Sequence, residues 1–220
     1  MSKPEQQLIN FQFEKNYERD NFFVSKSNFF AFSLIDSWPK WEKNIINIHG
    51  EKYSGKSHLS EIFIKKNKGI ILKASDLGPN YVKSLRYHEN IVLDGLNENI
   101  DEKLIFSLIN FVDQNSKFLI INSSMPINKM KFKLKDLQSR SKVILEAKIE
   151  KPDDELIKVL ITKYLSDKQI KIDNKLVEFA VKRITRCYGK IFEFIYKIDE
   201  ISLKKKKSID QKTIKEALAV

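Results

Sequence analysis

The chain has 220 residues, 42% of them hydrophobic, which is enough for one large domain and a smaller one. Its single cysteine excludes an internal disulfide framework, and no apolar run is long enough to span a bilayer, so we expect a cytoplasmic protein with no membrane partner. The formal net charge of +11 would suit nucleic acid, but only five of the 40 basic residues are arginines, which indicates a general compositional drift towards lysine rather than a nucleic-acid groove.

The first 20 residues are polar with scattered aromatics, and they predict a loosely ordered arm. Residues 21–148 then alternate short apolar runs with stretches whose apolar residues recur at helical spacing. The apolar runs are residues 45–48, 69–72, 91–93, 118–121 and 143–145. Because strands that are apolar throughout and alternate with helices are typical of a parallel sheet covered on both faces, this segment predicts an α/β domain.

The run of residues 50–57, GEKYSGKS, fits the phosphate-binding pattern G-x-x-x-x-G-K-[ST] without a mismatch. A predicted strand precedes it and a predicted helix over residues 56–66 follows it, which is the context that the pattern requires. Its glycines allow the backbone to approach a pyrophosphate that faces the helix N-terminus. We expect ATP or ADP here, with Lys56 on the β- and γ-phosphates and the Ser57 hydroxyl on Mg²⁺.

Polar residues follow two further predicted strands. Asp94 comes directly after the run 91–93 and predicts a second contact to the Mg²⁺ shell. Hydrolytic proteins of this class carry another acid at the next position, but here it is Gly95, which cannot polarise water, so we expect weak intrinsic hydrolysis. Asn122 ends the run 118–121, where it could contact a γ-phosphate or water, or serve only as a turn residue.

The strand pattern stops near residue 149. Pro152 followed by three acidic residues predicts a helix start, and Asp173 and Asp210 predict two more. Apolar residues recur at helical spacing between them. We therefore predict a small all-helical domain over residues 149–220 after the α/β domain over residues 21–148.

Several segments together resemble the DnaA-type AAA+ ATPases in their order and spacing. DNFFVSKSN at 20–28 resembles the segment that packs around adenine, and GKSHL at 55–59 resembles the family's phosphate loop. NSSMP at 122–126 resembles its sensor-1 strand end, and DLQSR at 136–140 resembles the box that carries its arginine finger. The resemblance covers nearly the whole chain. It implies a P-loop AAA+ parallel sheet sandwiched by helices and followed by a helical lid domain.

The resemblance also implies roles for individual residues. Arg140 would act catalytically in trans as an arginine finger, and Asn122 would be sensor 1. The lid cation that senses nucleotide could be Arg186 or Lys190. With the phosphate-loop pattern, the implied nucleotide contacts are Gly50, Glu51, Lys52, Tyr53, Ser54, Gly55, Lys56, Ser57, His58, Phe23, Val24, Asn28, Arg186 and Lys190, and the Mg²⁺ contacts are Ser57 and Asp94.

Near the start of the chain, Gln7, Leu8 and Phe11 resemble the anchors of short peptides that bind the bacterial sliding clamp. The sequence stops at Val220, and we expect no DNA-reading domain after the lid. This combination resembles the Hda-type regulatory inactivators of the family, which promote hydrolysis of ATP bound to the DnaA initiator. The implied partners are DnaA and the clamp, with DNA reached through the clamp. Head-to-tail self-association and the choice between ATP and ADP stay open.

Three other readings of the sequence remain. An adaptor or loader of the same family would share the nucleotide site but would not need a clamp peptide. A P-loop kinase for small molecules would need an arginine-rich lid close to the sheet. A basic DNA-binding module would bind tightly, with a steep dependence on salt concentration.

Overall fold

The computed structural model of the protein describes residues 17–78, 81–205 and 208–218. Its strands are β1 (Ile45–His49), β2 (Gly69–Lys73), β3 (Asn90–Leu96), β4 (Phe118–Ser123) and β5 (Leu145–Lys148). The helices are α1 (Phe29–Asp36), α2 (Lys56–Asn67), α3 (Tyr81–Leu85), α4 (Glu102–Gln114), α5 (Lys135–Ser141), α6 (Asp154–Asp167), α7 (Asn174–Val181), α8 (Tyr188–Lys205) and α9 (Gln211–Leu218).

The five strands form one parallel sheet in the order β2-β3-β4-β1-β5. Helices cover both faces, and each face has its own apolar core. One core packs α4 and α5 on the sheet through residues such as Leu108 and Leu137, and the other packs α1 and α2 through Phe32 and Phe63. The predicted α/β architecture is confirmed, and every residue of the inner strand β1 is buried, as expected for a strand covered on both faces.

The helices α6 to α9 pack around a third core that includes Ile157, Ile195 and Ile214. Aspartates begin three of these helices by accepting backbone N–H bonds. Asp153 accepts from Leu156 N at 2.8 Å, and Asp173 from Lys175 N at 2.7 Å. Asp210 accepts from Thr213 N at 2.7 Å. The helix starts predicted at Asp173 and Asp210 are confirmed, whereas α6 begins after Asp153 rather than at Pro152.

The strand predicted over residues 143–145 is wrong in its position. Val143 lies in a turn after α5 with 65% of its surface exposed, and its N–H is bonded to Arg140 O at 3.2 Å. The strand itself is Leu145–Lys148, at the edge of the sheet beside β1. Successive side chains of a strand point to opposite faces, and in β5 only Leu145 and Ala147 pack into an apolar core, so its sequence alternates apolar and charged residues and lacks the apolar run that marks the other strands.

Among the residues that the structure describes, no helix is both long and apolar enough to cross a membrane.

Candidate nucleotide-binding site

The loop between β1 and α2 has the backbone shape that an anion site needs. Gly55 has a φ of +98° and Tyr53 a φ of +70°, so both lie in the left-handed region. Alternation of right- and left-handed residues turns successive N–H groups towards one point, here beside the uncapped N-terminus of α2. Gly50 is needed for a different reason, because a Cβ there would lie 2.9 Å from the carbonyl oxygen of Ile149.

Lys56 extends back along this loop. Its Nζ donates to the carbonyl oxygens of Gly50 at 2.8 Å and Glu51 at 2.7 Å. Burial lowers the pKa of Lys56, and the nearby carboxylates of Asp94 and Glu51 act in the opposite direction. The ammonium group is therefore fixed inside the loop, and the loop is held in shape by it.

Ser57, Asp94 and Asn122 meet at the carboxyl edge of the sheet. The Ser57 hydroxyl donates to Asp94 Oδ2 at 3.0 Å, and Asn122 Nδ2 donates to Asp94 Oδ1 at 2.8 Å. Asn122 Oδ1 is buried and has no hydrogen-bond partner within the described residues. Such an orphaned acceptor fits a site that is completed by a ligand.

The oxygen donors here suit Mg²⁺. This ion is bound in proteins by one or two carboxylates together with phosphate and water, and Asp94 and Ser57 offer a carboxylate and a hydroxyl. No cluster of three or more His, Cys, Asp or Glu side chains that could hold a metal occurs in the described part of the chain. Any ion at this place would therefore take most of its ligands from the nucleotide and from water.

Asn47 orients the end of β4, and sequence analysis missed it. It is fully buried in the middle of β1. Its Nδ2 donates to Ile121 O at 2.9 Å and to Ser123 Oγ at 2.8 Å, while its Oδ1 accepts from Ile127 N at 2.9 Å. These bonds fix the chain on both sides of Asn122. In the sequence, the signal that could have identified Asn47 was a polar amide inside the otherwise apolar run of residues 45–48.

The segment that resembles an adenine-binding box is held by its own hydrogen bonds. Asn28 Nδ2 donates to Phe23 O at 2.9 Å, and Asn28 Oδ1 accepts from Ser25 N at 2.9 Å. Phe23 and Val24 are half-buried, so each side chain keeps a free face. Through these two bonds Asn28 stabilises the conformation of this segment, which is called braced below.

His58 packs in the first turn of α2. Its ring meets Phe22 edge-on at 5.2 Å between centroids, and its Nε2 lies 3.1 Å from the carbonyl oxygen of Glu18. Burial lowers the pKa of His58, while the bond to Glu18 raises it. The histidine therefore joins α2 to the residues before α1.

The helical region touches the phosphate loop through side chains that sequence analysis did not connect. Tyr188 N, at the start of α8, donates to Glu51 Oε2 at 3.1 Å, and the Tyr53 ring lies 5.5 Å from that of Phe192. The two candidate lid cations are engaged elsewhere. Arg186 pairs with Asp154, and Lys190 pairs with Glu193 at 2.8 Å.

Arg140 lies near the amino-terminal end of β1, opposite the end that leads into the phosphate loop. It donates to Asp113 Oδ2 at 2.7 Å, and Asp113 Oδ1 in turn accepts from Asn44, the residue before β1, at 3.0 Å. The phosphate loop follows the other end of β1. Between the two places lies β1, which spans about 13 Å from Ile45 to His49. Arg140 is about 42% exposed and makes no contact with its own phosphate loop.

Lys52 is exposed at the tip of the loop, where its Nζ lies 5.0 Å from the centre of the Tyr53 ring. Ser54 is buried, and its Oγ lies 3.4 Å from Lys56 Nζ. The predicted clamp-peptide residues Gln7, Leu8 and Phe11 lie outside the residues that the structure describes.

Gly95 adopts a left-handed conformation, with a φ of +83°, beside the irregularity in β3 between Leu93 and Leu96. A Cβ there would meet nothing within 4 Å, so only the backbone disfavours a side chain. The position that lacks a second acid is thus one where an acid would be strained.

We expect Gly95→Ala to lower the free energy of unfolding by about 1–2 kcal/mol, because the left-handed region disfavours a Cβ. Urea denaturation measures this change. Gly78→Ala is the matched control, since Gly78 also has open space but no positive φ, and it should be neutral or slightly stabilising. Equal effects of the two substitutions would show that the conformation of Gly95 is not the cause.

In sequence, the chain is similar to a replication initiator. It is 24% identical, over 213 residues, to the chromosomal replication initiator protein DnaA of Borreliella afzelii (strain PKo). That alignment covers 83% of this chain and 44% of the relative, so the chain spans less than half of the relative's length. No protein-family model matches the chain.

Solved structures show the fold. Domain III of the Thermotoga maritima replication initiation protein DnaA superimposes with a TM-score of 0.71 at 18% identity, covering 92% of this chain and 95% of that one. AMPPCP-bound DnaA from Aquifex aeolicus gives 0.68 at 18% identity, with 86% and 69% coverage. A point variant of Thermotoga maritima RuvB gives 0.71 at 12% identity, with 94% and 73% coverage. The chain therefore has the AAA+ P-loop fold with a helical C-terminal region.

Proposed function

We propose that this protein is a nucleotide-binding AAA+ regulator of replication initiation of the Hda type, which promotes hydrolysis of ATP bound to the initiator DnaA. The observation that carries the proposal is an asymmetry. Lys56, Ser57, Asp94 and Asn122 come together where a phosphate and Mg²⁺ would bind, yet Gly95 stands where a hydrolytic acid would be. Such a site binds nucleotide but is poorly equipped to activate water.

In its own site the protein would hold ATP or ADP. The loop N–H groups and Lys56 would face the phosphates, while Asp94 and Ser57 would hold Mg²⁺. Bound Mg²⁺ would add positive charge beside the β- and γ-phosphates. Phe23, Val24 and the segment braced by Asn28 would flank the base. Nucleotide would thus serve to set the shape of the protein rather than to be turned over.

Arg140 would act on the partner. Its partner Asp113 is bonded to Asn44 before β1, whereas the phosphate loop follows the other end of that strand. A guanidinium group placed beside a transferring γ-phosphate stabilises the charge of the transition state, and a finger supplied in trans is typically worth ~10³ to 10⁵ in rate. Head-to-tail stacking of this protein on ATP-bound DnaA would bring Arg140 to the initiator's site and leave DnaA with ADP.

The sliding clamp would bring the two proteins together on DNA. Gln7, Leu8 and Phe11 would bind an apolar groove of the clamp as an extended peptide. Contact with DNA would then be indirect. The similarity to DnaA supports a place in replication initiation, and the resemblance of residues 7–11 supports the clamp as the second partner.

The test is hydrolysis of DnaA-bound ATP with and without this protein, on DNA loaded with the clamp of the same organism. We expect stimulation that needs both the clamp and residues 7–11, so deletion of residues 1–12 should remove it. Stimulation without the clamp would contradict the clamp's role. Binding of nucleotide without any stimulation would instead favour a family adaptor or loader for another partner.

A further inference from the structure

Two side chains of the phosphate loop join it to the lid helix α8. Glu51 and Tyr53 occupy variable positions of the phosphate-binding pattern, so neither side chain is needed for phosphate contact, which the loop makes through its backbone N–H groups. Glu51 Oε2 accepts from Tyr188 N at 3.1 Å, and the Tyr53 ring packs 5.5 Å from Phe192, one turn further along α8. Both contacts cross from the sheet region to the helical region.

The Glu51 contact satisfies a need of the helix. The first N–H groups of a helix have no acceptor within it, and a carboxylate near a helix N-terminus is favoured by the helix dipole. Tyr188 is 2% exposed, so an unpaired N–H at this point would be costly. The lid helix therefore depends on a loop residue to complete its first turn.

The same tyrosine connects two further segments. Its hydroxyl donates to Glu150 O at 3.1 Å and lies 3.4 Å from the Ser27 hydroxyl, next to the braced Asn28. On the other side, the carbonyl of Glu51 accepts from Lys56 Nζ at 2.7 Å. A continuous series of contacts thus runs from Lys56 through Glu51 and Tyr188 to the segment that resembles an adenine-binding box.

In the free protein the two candidate lid cations lie in exposed ion pairs. Arg186 is paired with Asp154 and Lys190 with Glu193, and about half of each cationic side chain is exposed. Gly189, beside Tyr188, has no side chain to reach a phosphate. Within the described residues, a hydrogen bond of Glu51 and a ring contact of Tyr53 join the loop to the lid helix.

We propose that Glu51 and Tyr53 are positioning residues that transmit occupancy of the phosphate loop to the lid helix α8. The inference rests on the proposed nucleotide binding. Phosphate that draws on Lys56 and the loop N–H groups changes the loop conformation, and the Glu51 carboxylate and Tyr53 ring carry that change to the first two turns of α8. Bound nucleotide thereby determines the conformation of the lid helix, and with it the surface that a partner protein contacts.

Hydrogen exchange of the full chain, with and without Mg²⁺–ADP, tests this transmission. Nucleotide should slow exchange of the backbone amides in the first two turns of α8 by about 5-fold or more, the usual lower range of coupling between two sites. In Glu51→Ala that response should fall below about 2-fold. Glu51→Gln keeps an acceptor for Tyr188 N and should retain part of the response. Tyr53→Ala should weaken it at Phe192.

Glu200→Ala is the matched control, because it also removes a carboxylate, on α8 but about three turns beyond Tyr188 and paired with Lys197 and Lys204. It should leave the nucleotide response unchanged. The affinity for a fluorescent ADP analogue is measured for every variant first. If the wild type binds no nucleotide, the proposed function fails and takes this inference with it.

If nucleotide binds but leaves α8 exchange unchanged, only the transmission is wrong. The same holds if Glu51→Ala and Tyr53→Ala both respond like the wild type. Should Glu51→Ala fail to fold, Glu51→Gln and Tyr53→Ala still decide the matter, since neither leaves Tyr188 N without an acceptor.

Discussion

Arg140→Ala is expected to reduce the stimulation of DnaA-bound ATP hydrolysis by at least about 10³-fold, because a finger in trans typically contributes that much to the rate. Nucleotide binding by the variant itself should be unchanged, since Arg140 lies near the amino-terminal end of β1, opposite the end that leads into the phosphate loop. Single-turnover hydrolysis on clamp-loaded DNA measures the loss. The free energy of unfolding should fall by less than about 1 kcal/mol, because the ion pair with Asp113 lies at the surface.

The substitution Asp113→Asn distinguishes between two roles of Arg140, an arginine finger and a member of a structural ion pair. In the free protein Asp113 holds the guanidinium group at 2.7 Å, so a finger must leave this partner in order to reach a phosphate. Removing the charge of Asp113 should leave stimulation at the wild-type level or raise it. If Asp113→Asn abolished stimulation as completely as Arg140→Ala, the ion pair itself would be the important feature and the finger assignment would be wrong.

The sequence predicted the sheet and the phosphate loop because both depend on local signals. Apolar runs of strand length, separated by helical spacing, report burial on two faces without knowledge of the partner strands. The loop needs glycine at 50 for the approach of Ile149 and at 55 for a positive φ, and each need is visible as a glycine in a fixed pattern. Asp94 and Asn122 were likewise marked by ending apolar runs.

The strand β5, at one edge of the sheet, was less predictable. It alternates apolar and charged residues, since only Leu145 and Ala147 pack into an apolar core, and the apolar run that predicted it begins in a turn at Val143. Which of these residues pack into the core depends on the whole fold. No signal within residues 143–148 distinguishes a half-covered strand from a turn followed by a polar segment.

Contacts between residues that are far apart in the chain could not be predicted from the sequence. Asn47 bonds to Ile127, 80 residues later, and Glu51 bonds to Tyr188, 137 residues later. Each residue taken alone has an ordinary local meaning, an amide in a strand or a variable position in a loop. Their roles follow only from the packing that brings β4 beside β1 and the start of α8 beside the phosphate loop.

Lys56→Ala should weaken nucleotide binding by at least about 100-fold. Hydrogen bonds to charged groups contribute roughly 1.5–3 kcal/mol each, and a phosphate bound by the ammonium group would lose that interaction. The loop would also lose the two bonds by which Lys56 Nζ holds Gly50 O and Glu51 O, so it would be less well organised before binding. Titration with a fluorescent ADP analogue measures the change.

Lys52→Ala is the control for Lys56→Ala. It removes the same charge from the same loop, but the Lys52 ammonium group lies over the Tyr53 ring at the exposed tip instead of inside the loop. Its affinity for nucleotide should stay within about 2-fold of the wild type, because exposed charges interact weakly across water. Equal losses in the two variants would mean that general positive charge, and not the buried position of Lys56, determines binding. The site would then be an electrostatic patch, and the proposal that bound nucleotide acts on the lid helix through the loop would be wrong.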